Sequence, residues 1–150
     1  MISKKAQYSL YALTYLAKKY NDGPVLISEI AQKEKLPKKF LETILLELKN
    51  MGIVSSKKGK GGGYYLIKKT ENISFAEIIR LFDGAIALLP CVTYNYYESC
   101  TQCKDENSCG VRSVIKEIRD KTVSILKNIT LKDVIDREEK LLYNKNLETD

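Results

Sequence analysis

Residues 36–66 have the sequence LPKKFLETILLELKNMGIVSSKKGKGGGYYL, which predicts a helix followed by a short hairpin. Pro37 suits the start of a helix, because its missing N–H group costs no hydrogen bond there. Apolar residues then recur at the helical period, which indicates one buried face, and Gly52 ends the pattern. The predicted apolar face consists of Phe40, Leu41, Ile44, Leu45 and Leu48.

The second half of this stretch is predicted to form a two-stranded hairpin. Residues 53–57 and 64–67 have strand-like composition, and the glycine-rich segment 59–63 between them supplies the turn. Such glycines alone are also common in an ordinary surface turn. The order helix, turn, helix and basic hairpin is typical of a winged helix-turn-helix, a DNA-binding fold. We therefore predict a mainly α protein with one small β-hairpin.

The formal net charge of +6 is concentrated in the first half of the chain. Residues 1–75 carry 14 basic and 6 acidic side chains, a net charge of +8, whereas residues 76–150 carry 11 and 13, a net charge of −2. A basic half that coincides with the predicted DNA-binding fold suits a polyanionic partner, here double-stranded DNA. Charge alone is weak evidence, since lysine-rich surfaces are common.

Two classes of protein are disfavoured by the composition. No apolar run approaches the ~20 residues that span a bilayer, and no signal-peptide block is present, so we expect a cytoplasmic protein without a membrane partner. The 150 residues contain no histidine, and no P-loop, paired carboxylates or nucleophile with a general base can be recognised. We therefore expect no enzymatic activity.

Helix-capping patterns place further helices around the central stretch. Ser3 is predicted to cap the first helix, and Ser28 a short second helix. After the hairpin, Ser74 and Glu77 form a capping box for another helix. The winged helix-turn-helix domain is therefore predicted to cover residues 1–84.

A long helix is predicted for residues 111–128, and its apolar residues alternate in steps of four and three. This is the spacing of a coiled-coil seam, so we predict a homodimer through this helix; the alternative is that it folds back on its own domain. The dimerisation helix and a short terminal helix are predicted to cover residues 111–136, followed by a frayed polar tail at 137–150. The seam consists of Val111, Ile115, Ile118, Thr122, Ile125 and Ile129.

All four cysteines lie in the segment 85–110, which lacks a clear helical or strand period. Such a cluster of thiols can ligate zinc or an iron–sulfur centre, and in a cytosolic chain this outranks a disulfide framework. A permanent zinc site and a thiol–disulfide switch without metal remain alternatives. We interpret the segment as a sensing loop. Its candidate metal ligands are Cys91, Cys100, Cys103 and Cys109, in the spacing C-x8-C-x2-C-x5-C.

The chain resembles the Rrf2 family of bacterial transcription regulators along nearly its whole length. The resemblance rests on YSLYAL at 8–13, FLE at 40–42, GGGY at 61–64 and ITL at 129–131, with wing, cysteine loop and long helix in that order. It implies a winged-helix homodimer with an iron–sulfur cluster between the DNA-binding domain and the long helix. The recognition helix would enter the major groove, and the wing would reach the minor groove.

The resemblance also implies which residues contact DNA. Lys60 stands where family members often have proline, so the wing is expected to contact its DNA differently. The predicted DNA-binding residues are Lys4, Tyr8, Ser28, Lys38, Lys39, Phe40, Glu42, Thr43, Lys58, Gly59, Lys60 and Gly61.

The residues that complete the cluster site in relatives are replaced in this chain. Arg112 stands where some members have a ligating histidine, and it cannot ligate. Gln7 stands where others use an aspartate. Cys91 lies further from the other cysteines than the family spacing, and Cys100 is additional. The simplest inference is that Cys100 fills the vacancy and gives an all-thiolate site for a [2Fe-2S] or [4Fe-4S] cluster.

We therefore predict a DNA-binding transcription regulator, expected to be a repressor, whose DNA affinity is set by an iron–sulfur cluster that senses redox, iron or nitric oxide status. One alternative is a DNA-binding regulator that uses zinc or a thiol–disulfide switch. Another is a thiol redox protein or cluster carrier built on CTQC at residues 100–103, although a lone C-x-x-C is a weak signal.

Overall fold

The computed structural model describes residues 2–147. Their helices and single antiparallel hairpin agree with the predicted mainly α fold, and no described helix is long and apolar enough to cross a bilayer. The elements are α1 (Lys4–Lys18), α2 (Ile27–Lys33), α3 (Lys38–Asn50), β1 (Val54–Lys57), β2 (Gly63–Leu66), α4 (Phe75–Asp83), α5 (Gly110–Asn128) and α6 (Leu131–Leu147), with 3-10 turns at Thr70–Asn72 and Pro90–Val92.

Two helix starts use the predicted capping side chains. Ser3 Oγ accepts a hydrogen bond from the backbone N–H of Ala6 at 3.1 Å, and Ser74 Oγ accepts one from Glu77 at 3.2 Å. Each cap satisfies a helix-end donor that has no partner within the helix. Gly52 follows α3 with a φ of 67°, the left-handed conformation that commonly ends a helix.

The prediction that Ser28 caps the second helix is wrong. α2 begins at Ile27, and Leu26 occupies the N-cap position without a side-chain hydrogen bond. Backbone pairing explains the earlier start. Val25 and Tyr64 exchange two N–H···O=C hydrogen bonds of 2.8 Å, which hold the chain extended up to Leu26.

The prediction of a frayed polar tail beyond Asp136 is also wrong for the described residues, because α6 continues to Leu147. Lys132 pairs with Asp136 across one helical turn at 3.2 Å, and an ion pair between Lys18 and Glu138 ties α6 to α1. Residues 148–150 of the predicted tail lie outside the described part of the chain.

The hydrophobic core is formed by α1, α3 and the base of the hairpin, and α4 and α6 close it. Phe40 was predicted to belong to the buried stripe of α3, but its side chain is 39% exposed. Phe40 lies at the first turn of α3, where it contacts α1 at the surface. The largest buried side chains are Leu13, Leu16, Ile30, Leu41, Ile44, Leu45, Leu48, Ile53, Ile73, Ile78 and Leu131.

The hairpin is held against α2 by the pairing of Val25 with β2. Gly63 lies beside this pairing with a φ of 144°, and a Cβ atom there would come within 2.3 Å of the Val25 carbonyl oxygen. The close approach of two backbones therefore requires glycine at this position. This backbone pairing holds the hairpin, which forms the wing, in a fixed position beside the start of α2.

Gly63→Ala is expected to lower the free energy of unfolding by about 3 kcal/mol or more, since a backbone clash adds to the strain of a positive φ. Gly61→Ala is the matched control. Gly61 also has a positive φ, of 72°, but no described atom lies within 4 Å of its Cβ position. The control should cost about 1 kcal/mol in urea unfolding. An equal loss of unfolding free energy in the two variants would contradict the close approach of the Gly63 and Val25 backbones.

Candidate nucleic-acid interface and cysteine loop

The outward face of α3 is polar and accessible. Lys38, Lys39, Glu42 and Thr43 are exposed, and the opposite face of the helix is anchored in the core. Neither lysine forms an ion pair with any residue in the described range 2–147. Their ammonium groups are therefore available to an external anion such as phosphate.

The start of α1 extends this surface. The Tyr8 and Phe40 rings meet edge to face with centroids 5.7 Å apart, and Lys4 Nζ lies 6.0 Å from the Tyr8 ring centroid. Lys4, Tyr8 and Phe40 thus join the first turns of α1 and α3. Ser28 is exposed on the neighbouring α2.

The tip of the hairpin projects as a basic turn. Lys58, Gly59, Lys60 and Gly61 are all exposed, and the N–H of Gly62 closes the turn on the carbonyl of Gly59 at 3.0 Å. The predicted DNA-binding residues therefore lie on exposed or half-buried surface of α1, α2, α3 and the wing.

A contact between α3 and the wing escaped prediction. Lys49 Nζ donates a hydrogen bond to Ser56 Oγ at 2.7 Å and so links the end of α3, the predicted recognition helix, to β1. No sequence signal identifies this pair, because both residues resemble ordinary surface residues. The contact helps to fix the angle between the two predicted DNA-contacting elements.

The four cysteines occupy different environments. Cys91 is buried in the 3-10 turn Pro90–Val92, Cys100 is exposed, and Cys103 and Cys109 are half-buried. Cys103 Sγ donates a hydrogen bond to the carbonyl of Asp105 at 3.3 Å. The thiols of Cys103 and Cys109 are near enough for each to shift the pKa of the other. The structure thus forms one thiol pair within the loop.

Cys109 is the N-cap residue of α5, which the sequence analysis missed because cysteine is an unusual cap. Its Sγ accepts a hydrogen bond from the backbone N–H of Arg112 at 3.4 Å. This hydrogen bond, followed by the interaction with the Cys103 thiol, lowers the pKa of the Cys109 thiol. Partial desolvation and the neighbouring Cys109 raise the pKa of Cys103. Cys109 is therefore the more readily ionised member of the pair.

Two arginines of α5 bind the chain segment that carries Cys91. Arg112 Nε donates to the carbonyl of Cys91 at 3.2 Å, and Arg119 Nη1 donates to the carbonyl of the next residue, Val92. Arg112 Nε also lies 3.5 Å from Oε2 of Glu106, near the other end of the cysteine loop. The two arginines are seven residues apart and share one face of the helix. We call this set of contacts the arginine clamp; it couples both ends of the cysteine loop to α5.

α5 has one packed and one open face. Its inner face buries Val123 and packs against α4, which in part matches the alternative that the helix folds back. The outer face remains open over much of the predicted seam, whereas Ile115 and Ile129 are half-buried. The exposed apolar residues are Val111, Val114, Ile118 and Ile125, with exposed fractions of 67%, 58%, 42% and 59%.

The four cysteines have the right donor atoms for a metal centre, but their thiols are not gathered at one point of the structure. Four thiols are suitable donors for zinc or an iron–sulfur cluster. Among residues 2–147, however, no three cysteine, aspartate or glutamate side chains lie close enough together to hold a metal ion. The structure brings Cys103 and Cys109 together and leaves Cys91 apart in its buried turn.

Two comparisons with known proteins place nearly the whole chain in one family of transcriptional regulators. A family model for Rrf2, described as an iron-dependent transcriptional regulator, matches residues 2–137. An Rrf2-like HTH-type regulator of Rhodobacter capsulatus is 40% identical over 138 residues, which cover 90% of this chain and 92% of the relative.

Two similar solved structures are CymR, the global cysteine regulator of B. subtilis, and T. potens IscR. CymR has a TM-score of 0.76 and 31% identity, with 91% of this chain and 97% of CymR covered. IscR has a TM-score of 0.74 and 26% identity, with 94% of this chain and 90% of IscR covered.

Proposed function

The chain belongs to the Rrf2 family of transcriptional regulators, and from this premise we propose that it binds operator DNA as a homodimer whose affinity is set by its cysteine loop. The exposed basic face of α3 supports the DNA-binding part. Lys39, Glu42 and Thr43 would lie at the major groove, while Lys58 and Lys60 of the wing would approach the minor groove. We expect a cytoplasmic repressor.

The open face of α5 supports the dimer. Exposed apolar residues at seam spacing are costly in water, and a second copy of the same helix would cover them. A twofold axis through α5 would present two recognition helices to two half-sites of duplex DNA. The distance between those helices then depends on how α5 is held.

The arginine clamp is the observation that carries the regulatory part of the proposal. Arg112 and Arg119 hydrogen-bond to the carbonyls of Cys91 and Val92, so a rearrangement of the cysteine loop would change the packing of α5. A small change in α5 would alter the spacing of the recognition helices. This links the chemistry of the loop to DNA affinity.

For the chemistry of the loop we propose an iron–sulfur cluster first. The family is described as iron-dependent, and the loop supplies four soft thiol donors without any competing histidine. Cys91, Cys103 and Cys109 would hold the cluster, with Cys100 as the fourth ligand. A cluster bound there would supply a reversible response to oxidants, iron or nitric oxide. The loop would have to bring Cys91 to the thiol pair.

A thiol switch is the second candidate, and the nearness of Cys103 and Cys109, whose thiols shift each other's pKa, favours it. Two adjacent thiols need little movement to form a disulfide. The similar structure of CymR belongs to a cysteine regulator. A zinc site in the same loop is a further form of this alternative.

Anaerobic purification with analysis of iron, acid-labile sulfide and zinc separates these candidates. We expect iron and sulfide in stoichiometric amounts, with a visible absorption band that is lost in air. Zinc, or a metal-free protein whose free thiols fall by two on mild oxidation, would assign the loop to the second candidate.

Cys103→Ala tests the role of the loop. The variant should fold normally, because its half-buried side chain lies outside the core, but its operator affinity should no longer respond to oxidation. Operator DNA can be selected from random duplexes, and affinity measured anaerobically and in air at fixed salt. Ser108→Ala, an exposed change in the same loop, is the matched control and should retain the response. An undiminished response in Cys103→Ala would contradict the proposal.

A further inference from the structure

A groove of about 600 Å³ lies between the end of α3, the outer side of α4 and the last turn of α5. Its lining is mainly apolar. Ile53 and Ala76, each 1% exposed, form the floor, whereas the Met51 side chain is 57% exposed and Leu81 is half-buried. An exposed methionine on a mainly apolar groove gains free energy when another apolar group covers it.

Two basic side chains lie in the lining without an ionic partner. Arg80 of α4 and Lys127 of α5 are both exposed, and neither forms an ion pair with any residue in the described range 2–147. The acidic residue of the described lining is Glu77, whose carboxylate is bound by Lys68 Nζ at 2.7 Å. The groove therefore carries an excess of positive charge that a partner can neutralise.

The groove lies away from the other surfaces that the proposed function uses. Lys127 follows Ile118 of the seam by about two and a half helical turns, which places it on the opposite side of α5 from the seam. Met51 follows the last residue of α3, about 18 Å along the helix axis from Lys39 at the predicted DNA-contacting end. The groove would therefore remain accessible in a dimer bound to DNA.

We propose that this groove docks a segment of a partner protein that carries acidic residues beside a large apolar side chain. The apolar side chain would cover Met51 and Leu81, and carboxylates of the same segment would pair with Arg80 and Lys127. The charge of the groove disfavours a basic segment. Duplex DNA fits less well, because its backbone supplies phosphates but no apolar side chain to fill the groove.

Selection of short random peptides on the full-length protein without DNA tests the proposal, and it depends neither on the sensing chemistry nor on operator binding. We expect the selected peptides to combine aspartate or glutamate with a large apolar residue and to bind with a Kd below about 100 μM by fluorescence anisotropy. Their affinity should fall as salt is raised, since exposed charge pairs are screened. The proposal would be overturned if no peptide were enriched, or if the enriched peptides lacked acidic residues.

Charge variants locate the bound peptide. Lys127→Glu should weaken its binding by about tenfold or more, because the new carboxylate repels the acidic segment, and Arg80→Gln should weaken it by about threefold. Lys140→Glu, the same charge reversal on the exposed surface of α6, is the matched control and should leave binding unchanged. Undiminished binding by Lys127→Glu with a native circular dichroism spectrum would place the peptide elsewhere and overturn the proposal.

Met51→Ser tests the apolar part of the contact. The substitution removes an exposed apolar side chain and should weaken peptide binding by about threefold or more. Leu142→Ser, a similarly exposed change on α6, is the control and should not weaken it. Native affinity in Met51→Ser would show that charge alone attracts the peptide, which contradicts docking in the groove.

The dimer mass and operator affinity of Lys127→Glu separate a partner protein from other occupants of the groove. We expect both to match the native protein, because Lys127 faces away from the seam and lies far from the predicted DNA-contacting end of α3. Loss of the dimer would assign the groove to a second copy of the chain, and an operator affinity lowered by about tenfold would assign it to DNA. Either result would overturn the proposal.

Discussion

Ile125→Glu is expected to give a monomer that binds operator DNA about 100-fold more weakly than the native chain, or weaker still. Ile125 lies on the open face of α5 and is 59% exposed, so the substitution should not disturb the core of the protomer. In the proposed dimer the new carboxylate would be buried against the same carboxylate on α5 of the second copy. Two like charges at a twofold axis oppose association.

The loss of DNA affinity follows from the loss of bivalency. A dimer that binds one half-site holds its second recognition helix at a high effective concentration near the other half-site. Ser124→Glu adds the same charge at the neighbouring exposed position and is the matched control. Light scattering with size-exclusion chromatography gives the mass, and fluorescence anisotropy gives the operator affinity. A dimeric Ile125→Glu variant with native affinity would show that α5 does not form the interface.

Lys39→Glu is expected to weaken operator binding by about 10- to 100-fold and to flatten its salt dependence. Lys39 is exposed at the first turn of α3, and no described acidic residue pairs with it. The proposed dimer would carry two copies of Lys39, so the slope of log affinity against log salt should fall by about two. The loss should be the same whatever the state of the cysteine loop.

Lys140→Glu, which makes the same charge reversal on the exposed surface of α6, is the control for net charge. It should change the affinity only slightly, since long-range effects are screened at physiological salt. Titrations at several salt concentrations separate a lost phosphate contact from a general electrostatic effect. Native affinity and native salt slope in Lys39→Glu would place the recognition surface elsewhere.

Sequence signals predicted the elements whose ends depend on nearby residues. Ser3 and Ser74 cap helices through hydrogen bonds to residues three positions away, so the pattern of the local sequence was sufficient. The start of α2 depends instead on the pairing of Val25 with Tyr64, far along the chain. The length of α6 depends partly on the ion pair with Lys18 of α1, which composition could not reveal.

The candidate site was predictable to different degrees. The wing lysines and the polar face of α3 are exposed as their spacing indicates, since a helical or hairpin period determines which side chains point away from a core. The burial of Arg119 was not predictable, because its partners Val92 and Tyr94 lie in a segment without periodicity. For the same reason the sequence could not indicate which of the four cysteines would be adjacent.

The proposed coupling between the cysteine loop and DNA binding is tested by the operator affinity of the native protein, purified anaerobically and measured at fixed salt before and after oxidation of the loop. We expect the affinity of a single preparation to change by about tenfold or more while the protein remains dimeric, since coupling of this size is typical of allosteric proteins. Iron, sulfide and free-thiol analyses of the same sample identify the chemistry that changed. Equal operator affinity before and after a verified chemical change in the cysteine loop would show that the loop does not control DNA binding.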